Sequence, residues 1–474
     1  MDGLECSEIQ KSELEFSGRI DAEYYQKKFL QYQAAIEKHC ILPLSKIANF
    51  LIGPFGSAYD TSTYVEQSDY RYIRGQDVKP FLLQDISPRY MAENDYNRLN
   101  KYALNTNDIL VSVVGTLGNA CIIQEHEVPA IFSCKSTAIK ANGVNPFYIL
   151  GYLNSEYGKS LLLRKERGAI QKGLNLDDLK TLDIPLFSDK LYECIETLTT
   201  KAFVMIDHAK QVYSEAQNQL DTSIGFVRTK QSANHSIKSL KESFLRSGRL
   251  DSEYYQAKYD SLFETLEKLH CKPLGGDDGL VYLKKSIEPG SEAYQEDGIP
   301  FVRVSDISKY EITPPEIFLS HAIVEDVEAL FPKKDTILFS KDGSVGIAYK
   351  LECDEDFVTS GALLHLTVRN TSEILPDYLT LVLNSIVVQM QAERDSNGAI
   401  IQHWKPSEIE NVIVPVLDID KQRELSEMVQ KSFALRRQSK QLLEYAKQAV
   451  EIAIEQGEDT ALAWLKDKTS ASEV

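Results

Sequence analysis

Residues 164–172 read Arg164-Lys165-Glu166-Arg167-Gly168-Ala169-Ile170-Gln171-Lys172. Cations and a carboxamide surround a glycine, the residue that most readily lets a backbone turn. Guanidinium and ammonium groups donate to phosphate oxygens and to the two acceptors of guanine, while a glutamine amide matches the donor–acceptor edge of adenine. Gln402, His403 and Lys405, with Trp404 among them, form a second stretch of this kind. This chemistry holds a ligand and makes no bond. The residues of bond-making chemistry do not assemble. There is no G-x-x-x-x-G-K-[ST] loop, no Rossmann glycine motif, no G-x-S-x-G elbow and no H-E-x-x-H, so no catalytic residue, metal or cofactor is expected. Seven cysteines lie scattered without a C-x-x-C pair, which fits reduced thiols in a cytoplasm. Cys134, the one thiol beside a lysine and a serine, is replaced by Ser360 in the echo described next, so the copies share no thiol chemistry.

The positioning elements are written twice. Ser17 to Gln26 read SGRIDAEYYQ, and Ser247 to Gln256 read SGRLDSEYYQ, 230 residues on. The echo continues in order. Tyr72-Ile73-Arg74-Gly75-Gln76-Asp77-Val78 returns as Phe301-Val302-Arg303-Val304-Ser305-Asp306-Ile307. Ile109 to Gly118 returns as Ile337 to Gly346, Leu153-Asn154-Ser155 as Leu383-Asn384-Ser385, Gly168-Ala169-Ile170 as Gly398-Ala399-Ile400, and Ile184-Pro185 as Val414-Pro415. A period this long describes two whole domains, not a solenoid.

Within each copy, residues 44–187 and 273–416 alternate β-branched runs with Gly, Pro, Asn and Asp turns, as mixed α/β domains do. Ile109–Val114 and Thr336–Ser340 read as buried strands. Short helices are expected around 145–160 and 375–392, with Pro146 and Pro376 near their starts. Each domain is followed by a heptad seam. The first runs Leu191, Ile195, Leu198, Ala202, Met205, Ala209, Val212, Ala216, and the second Leu425, Met428, Ser432, Leu435, Ser439, Leu442, Ala446, Ala449, Ala453. Alternating steps of three and four with many small residues predict two long helices that approach closely.

The 474 residues carry a net charge of −18, no signal peptide is evident, and no apolar run nears the ~20 residues that span a bilayer. Residues 44–187 balance 15 basic with 15 acidic side chains, but residues 273–416 carry 24 acidic ones against about half as many basic. Such a chain does not coat DNA by charge alone; any DNA-facing surface must segregate its bases.

The duplicated order, the strings SGRIDAEYYQ and SGRLDSEYYQ, Pro54-Phe55-Gly56-Ser57, Tyr72 to Val78, and Leu176-Asp177-Asp178-Leu179-Lys180 leading to Ile184-Pro185 resemble the specificity (S) subunits of Type I restriction–modification systems. That resemblance implies a non-catalytic DNA-recognition subunit of pseudo-twofold form, with two target recognition domains separated by an antiparallel coiled coil. Its implied partners are double-stranded DNA, two modification (methyltransferase) subunits and restriction subunits. Two target recognition domains, diverged outside the shared motifs, imply an asymmetric bipartite target. The expected division is an N-terminal segment 1–43, a first recognition domain 44–187, a central helical region and linker 188–246, a second repeat start 247–272, a second recognition domain 273–416 and a C-terminal helical region 417–474.

The candidate DNA contacts are Ser57, Arg71, Arg74, Gln76, Ser112, Lys135, Arg164, Lys165, Arg167, Gln171, Lys172 and Asn175 in the first copy. In the second they are Arg303, Ser305, Ser340, Lys341, Arg394, Gln402, His403 and Lys405. Residues present in both copies, Arg19, Asp21, Tyr24, Tyr25 and their partners Arg249, Asp251, Tyr254, Tyr255, are expected to be structural or to dock a partner. Gly115, Gly118, Gly343 and Gly346 read as turn requirements. Trp404 is open between stacking on a base and filling the core. Two other functions compete: an acidic decoy or regulator that binds restriction–modification subunits without DNA, and a fragment of a fused restriction–modification enzyme.

Overall fold

The computed structural model describes residues 7–12, 14, 18–84, 87–168, 172–226, 237–321, 327–398 and 401–471. The chain divides into two compact units, one of residues 1–205 with 438–474, the other of residues 206–437. Ser17, Ala169-Ile170 and Ala399-Ile400, all parts of the repeated strings, lie outside the described residues.

In the first unit, β1 (Cys40–Pro43) pairs with β9 (Asp183–Leu186). A four-stranded antiparallel sheet runs β2 (Ala48–Ile52), β8 (Ser136–Ala141), β5 (Ile109–Ser112), β6 (Ala120–Ile122). A smaller sheet joins β4 (Arg89–Tyr90), β3 (Arg71–Ile73) and β7 (Ala130–Phe132), with β3 and β7 parallel. Alternation along β5 explains the layering. Ile109 and Val111 face a core built with helices Pro146–Asn154 and Glu156–Leu163, while Leu110 faces Ile73 and Phe132 of the smaller sheet. All four residues of β5 are therefore buried, which is why it reads as an unbroken apolar run.

The second unit has the same layers. Its four-stranded sheet runs β11 (Val281–Lys285), β18 (Leu363–Val368), β15 (Ile337–Ser340), β16 (Ala348–Lys350), and β10 (Cys271–Pro273) pairs with β19 (Ile413–Pro415). The smaller sheet holds β12 (Tyr294–Gln295), β14 (Phe318–Leu319), β13 (Ile299–Val302) and β17 (Val358–Thr359), with β13 and β17 parallel. Ile337 and Phe339 face the helices; Leu338 faces Val302.

The shared strings make the same bonds in each unit. The Asn154 amide ties its helix to the Ala120 carbonyl at 3.0 Å, and Asn384 does so to Ala348 at 2.8 Å. Tyr148 donates to the Pro185 carbonyl as Tyr378 does to Pro415. Helices begin at Pro146 and Pro376, each at the first turn, where the missing N–H costs nothing; Asn145 caps the first by accepting from the Phe147 N–H at 2.8 Å.

The heptad seams form helices Asp189–Ile224 and Ile419–Gln456. In the first unit, Leu191, Ile195, Leu198 and Ala202 are buried with Leu442, Ala446, Ala449 and Ala453. The Ser439 hydroxyl donates to the Ala202 carbonyl at 2.8 Å, and Gly151 lies against both Ile195 and Val450, so the two segments run antiparallel. The second unit repeats this with Ser432 to Ala209 at 2.7 Å and Lys421 to Gln219 at 2.8 Å. Small seam residues allow a serine to reach a facing backbone. Ser439→Ala should cost the first unit about 1 kcal/mol, read as a lowered urea midpoint; an unchanged midpoint would show the contact to be neutral. Among the described residues no helix is long and apolar enough to cross a membrane.

Candidate nucleic-acid interface

In each unit the turn from β7 to β8, or from β17 to β18, bonds to the chain where the central strands end. In the first, Ser133 N–H bonds to Ile73 O at 2.9 Å and Val113 N–H to Lys135 O at 2.9 Å. A hairpin closes onto them. Arg167 and Gly173 exchange backbone bonds of 3.0 and 2.9 Å, and Leu174 N–H reaches Val113 O at 3.0 Å. In the second unit Ser360 bonds to Val302 at 2.9 Å, Lys341 to Ala362 at 2.9 Å, Asn397 and His403 exchange bonds of 2.9 and 2.7 Å, and Trp404 reaches Lys341 at 2.8 Å. Arg167, Lys172 and Gly173 thus occupy the places of Asn397, Gln402 and His403. Gly115 and Gly343 hold φ of +88° and +73°, as their turns require.

The clamp below this hairpin is the repeated ten-residue string. Arg19 forks onto Asp21 and reaches the Lys165 and Glu166 carbonyls. Arg164 donates to Tyr24 O at 2.6 Å and stacks over its ring at 4.0 Å, and Tyr25 bonds to Arg19 O at 3.1 Å. In the second unit Arg249 pairs with Asp251 and donates to Asp395 O at 3.1 Å, Tyr255 bonds to Arg249 O at 3.0 Å, and Arg394 lies 4.9 Å from the Tyr254 ring. These residues do a shared structural job, gripping the chain just before each hairpin.

The structure sorts the candidate contacts. Ser57, Gln76, Lys135, Arg167, Lys172 and Asn175 are exposed in the first unit, and Ser305, Gln402, His403 and Lys405 in the second. Arg167 holds Asp178 at 3.3 Å, Lys172 pairs with Glu166, and Asn175 caps a helical turn through Asp178. Others are not surface groups. Ser112 and Ser340 are fully buried and use their hydroxyls inside their turns, on Thr116 and Ser344. Arg71 is buried against Glu127 at 3.7 Å and donates to Gln84 O at 3.3 Å; Lys341 is buried against Asp342. Arg74 and Arg303 bind Asp77 and Asp306, whose carboxylates also accept the backbone N–H three residues earlier at 2.8 Å each. Arg164 and Arg394 serve the clamp. Lys165 donates to Thr181 at 2.7 and 2.8 Å, and burial brings its ammonium down to about 8. Trp404 is core, packed 5.8 Å from Phe339. Gln171 lies outside the described residues.

Two residues escaped the sequence reading. Asn397 stands exposed at the hairpin position of Arg167, and Asp342 holds the His403 ring through Nδ1 at 2.8 Å. The 230-residue offset that aligns Gly168 with Gly398 also aligns Arg167 with Asn397, so the signal for Asn397 was present. Among the described residues no cluster of ligating side chains suits a metal ion.

Each unit, then, is an α/β frame presenting a hydrogen-bonding hairpin. No family model matches the chain, and no curated protein matches it. Solved structures do. The chain is similar to the Type-I restriction-modification system S subunit from M. genitalium, at 15% identity over 88% of this chain and 95% of that one, with a TM-score of 0.39. It is similar to the HsdS subunit from Thermoanaerobacter tengcongensis at 14% identity, over 88% and 97%, with a TM-score of 0.29. A chain from a structure of type I R-M system assembly and conformational transition matches at 16% identity, over 88% and 98%, with a TM-score of 0.28.

Proposed function

We propose that the chain is the sequence-reading subunit of a Type I restriction–modification complex, a non-catalytic protein that directs methyltransferase and restriction subunits to a bipartite, asymmetric DNA target. The observation that carries the reading is one loop frame built twice with different exposed residues on it. A shared frame with unlike side chains is what two different half-sites require, because backbone geometry places a reader and side chains choose the base. The recognition domains are residues 44–187 and 273–416. The acidic second domain leaves most phosphate neutralisation to partner subunits, which is consistent with a reader that acts only in complex.

The test is a domain exchange. The intact chain, with its methyltransferase subunits, is used to map methylated sites; residues 273–416 are then replaced by the matching segment of another such chain. One half of the target should change and the other persist. Change in both halves, or in neither, would overturn modular reading. A decoy or regulator is separated by the same preparation: it would leave complex binding to DNA unaltered by salt-dependent contributions from this chain, and methylation would proceed in its absence.

A further inference from the structure

The two hairpins differ in a systematic way. At the first of two equivalent positions the first copy has Arg167 and the second Asn397; at the other they have Lys172 and Gln402. Both changes run from a side chain that only donates to a carboxamide that donates and accepts. All four side chains are exposed, and the backbone bonds between Arg167 and Gly173 match those between Asn397 and His403 within a few tenths of an ångström, with Lys172 and Gln402 one residue before the second partner of each pair. The neighbourhood follows the same division. Where the first frame has Val114 and Gly173, the second has Asp342 holding His403.

In the major groove guanine offers two acceptors, N7 and O6, while adenine offers the N7 acceptor beside the N6 donor. A guanidinium or ammonium satisfies the first edge and cannot accept from the second. A carboxamide satisfies the second with one bond each way. The ion pairs of Arg167 with Asp178 and Lys172 with Glu166 do not block this role. Both cations are exposed, so the pairs are weak and exchange readily for a base.

Resting on the DNA-reading assignment above, we infer that the half-site met by the first hairpin contains guanine where Arg167 and Lys172 reach it, and that the half-site met by the second contains adenine opposite Asn397 and Gln402. Lys405 and Lys135, also exposed, flank the hairpins as phosphate contacts.

The experiment maps methylated positions across the genome of cells carrying the full chain and its partner subunits, then repeats the mapping with the double variant R167N/K172Q. At one position of the first half-site the preference should move from guanine to adenine by about tenfold or more, the discrimination of a bidentate pair. The second half-site should not change. The reciprocal variant N397R/Q402K should move the second half-site toward guanine, and it decides the matter if the first variant yields no methylation. Retained methylation with an unaltered target in both variants overturns the inference while leaving the DNA-reading assignment intact, as does a native target whose first half lacks guanine. Loss of any dependence of methylation on the unmodified chain removes the assignment itself.

Discussion

Replacing Arg164 with alanine should destabilise the first unit by about 3 kcal/mol and abolish reading of one half-site before the other. The guanidinium makes a charge-assisted bond to the Tyr24 carbonyl at 2.6 Å and lies 4.0 Å over the Tyr24 ring, with its pKa lowered by the burial that this position imposes. A hydrogen bond to a charged group is worth about 1.5–3 kcal/mol and a desolvated cation–π contact about 1–2 kcal/mol, and the two overlap because one group makes both. Alanine also leaves the Tyr24 carbonyl without this donor. Only two residues separate Arg164 from Arg167, where the hairpin begins, so a loosened clamp transmits directly to Arg167 and Lys172. Hydrogen exchange should accelerate across residues 18–36 and 156–168 and stay unchanged across 257–302. Lysine at 164 keeps the charge without the planar fork and should recover part of the protection. Unaltered exchange in 18–36 would show that the clamp does not hold the hairpin.

How far these features could be read from residue types alone varies with what each depends on. The duplication was legible because Arg19, Asp21, Tyr24 and Tyr25 reappear in order as Arg249, Asp251, Tyr254 and Tyr255, and the reason they recur is now physical: each set grips the root of its hairpin. The seams were legible because every third or fourth residue from Leu191 and Leu425 had to be small or apolar for two helices to approach. The smaller sheets were legible only at Tyr72-Ile73 and Phe301-Val302, whose strings read as strand-like; their other strands, of two or three residues such as Arg89–Tyr90 and Val358–Thr359, carry no period of their own and are fixed by pairing with distant partners. Candidate contacts failed where residue type concealed burial. Arg71 and Arg74 look alike in sequence, three residues apart and both basic; one is buried against Glu127 and the other is spent on Asp77. Ser112 and Ser340 stand in the shared string because their turns need the hydroxyl. Identity between the copies therefore marked structure, and difference at Arg167/Asn397 and Lys172/Gln402 marked the exposed hairpins proposed to read.

A difference inside the frames places a buried histidine on the central sheet of the second unit, where the first has alanine. His365 lies on β18 with β11 and β15 on either side, its ring nitrogen 2.8 Å from the Thr359 hydroxyl. Burial, with a smaller contribution from Lys284, lowers its pKa to about 4. An unfolded histidine titrates near 6.5. Between these values the unfolded chain binds a proton that the folded one refuses, so stability falls as pH drops from about 6.5 to about 4 and is fully present above 6.5. The gap of about 2.5 units corresponds to about 3 kcal/mol, of which about 2 is already lost at pH 5. In the first unit the matching position on β8 is Ala138, opposite Leu110 as His365 is opposite Leu338, and nothing there titrates in this window. Trp404 is buried in the second unit and Trp464 belongs to the first, so W464F leaves one reporter of the acid-sensitive half. Urea unfolding followed at Trp404 should shift to lower midpoint between pH 7 and pH 5. H365Q, which keeps a partner for Thr359 but does not titrate, should remove most of that shift. An equal shift in H365Q would place the acid response on other groups. On the proposed function, the half of the target assigned to residues 273–416 should lose its selectivity first as the pH is lowered, because that reading makes recognition by each copy depend on the integrity of its own frame.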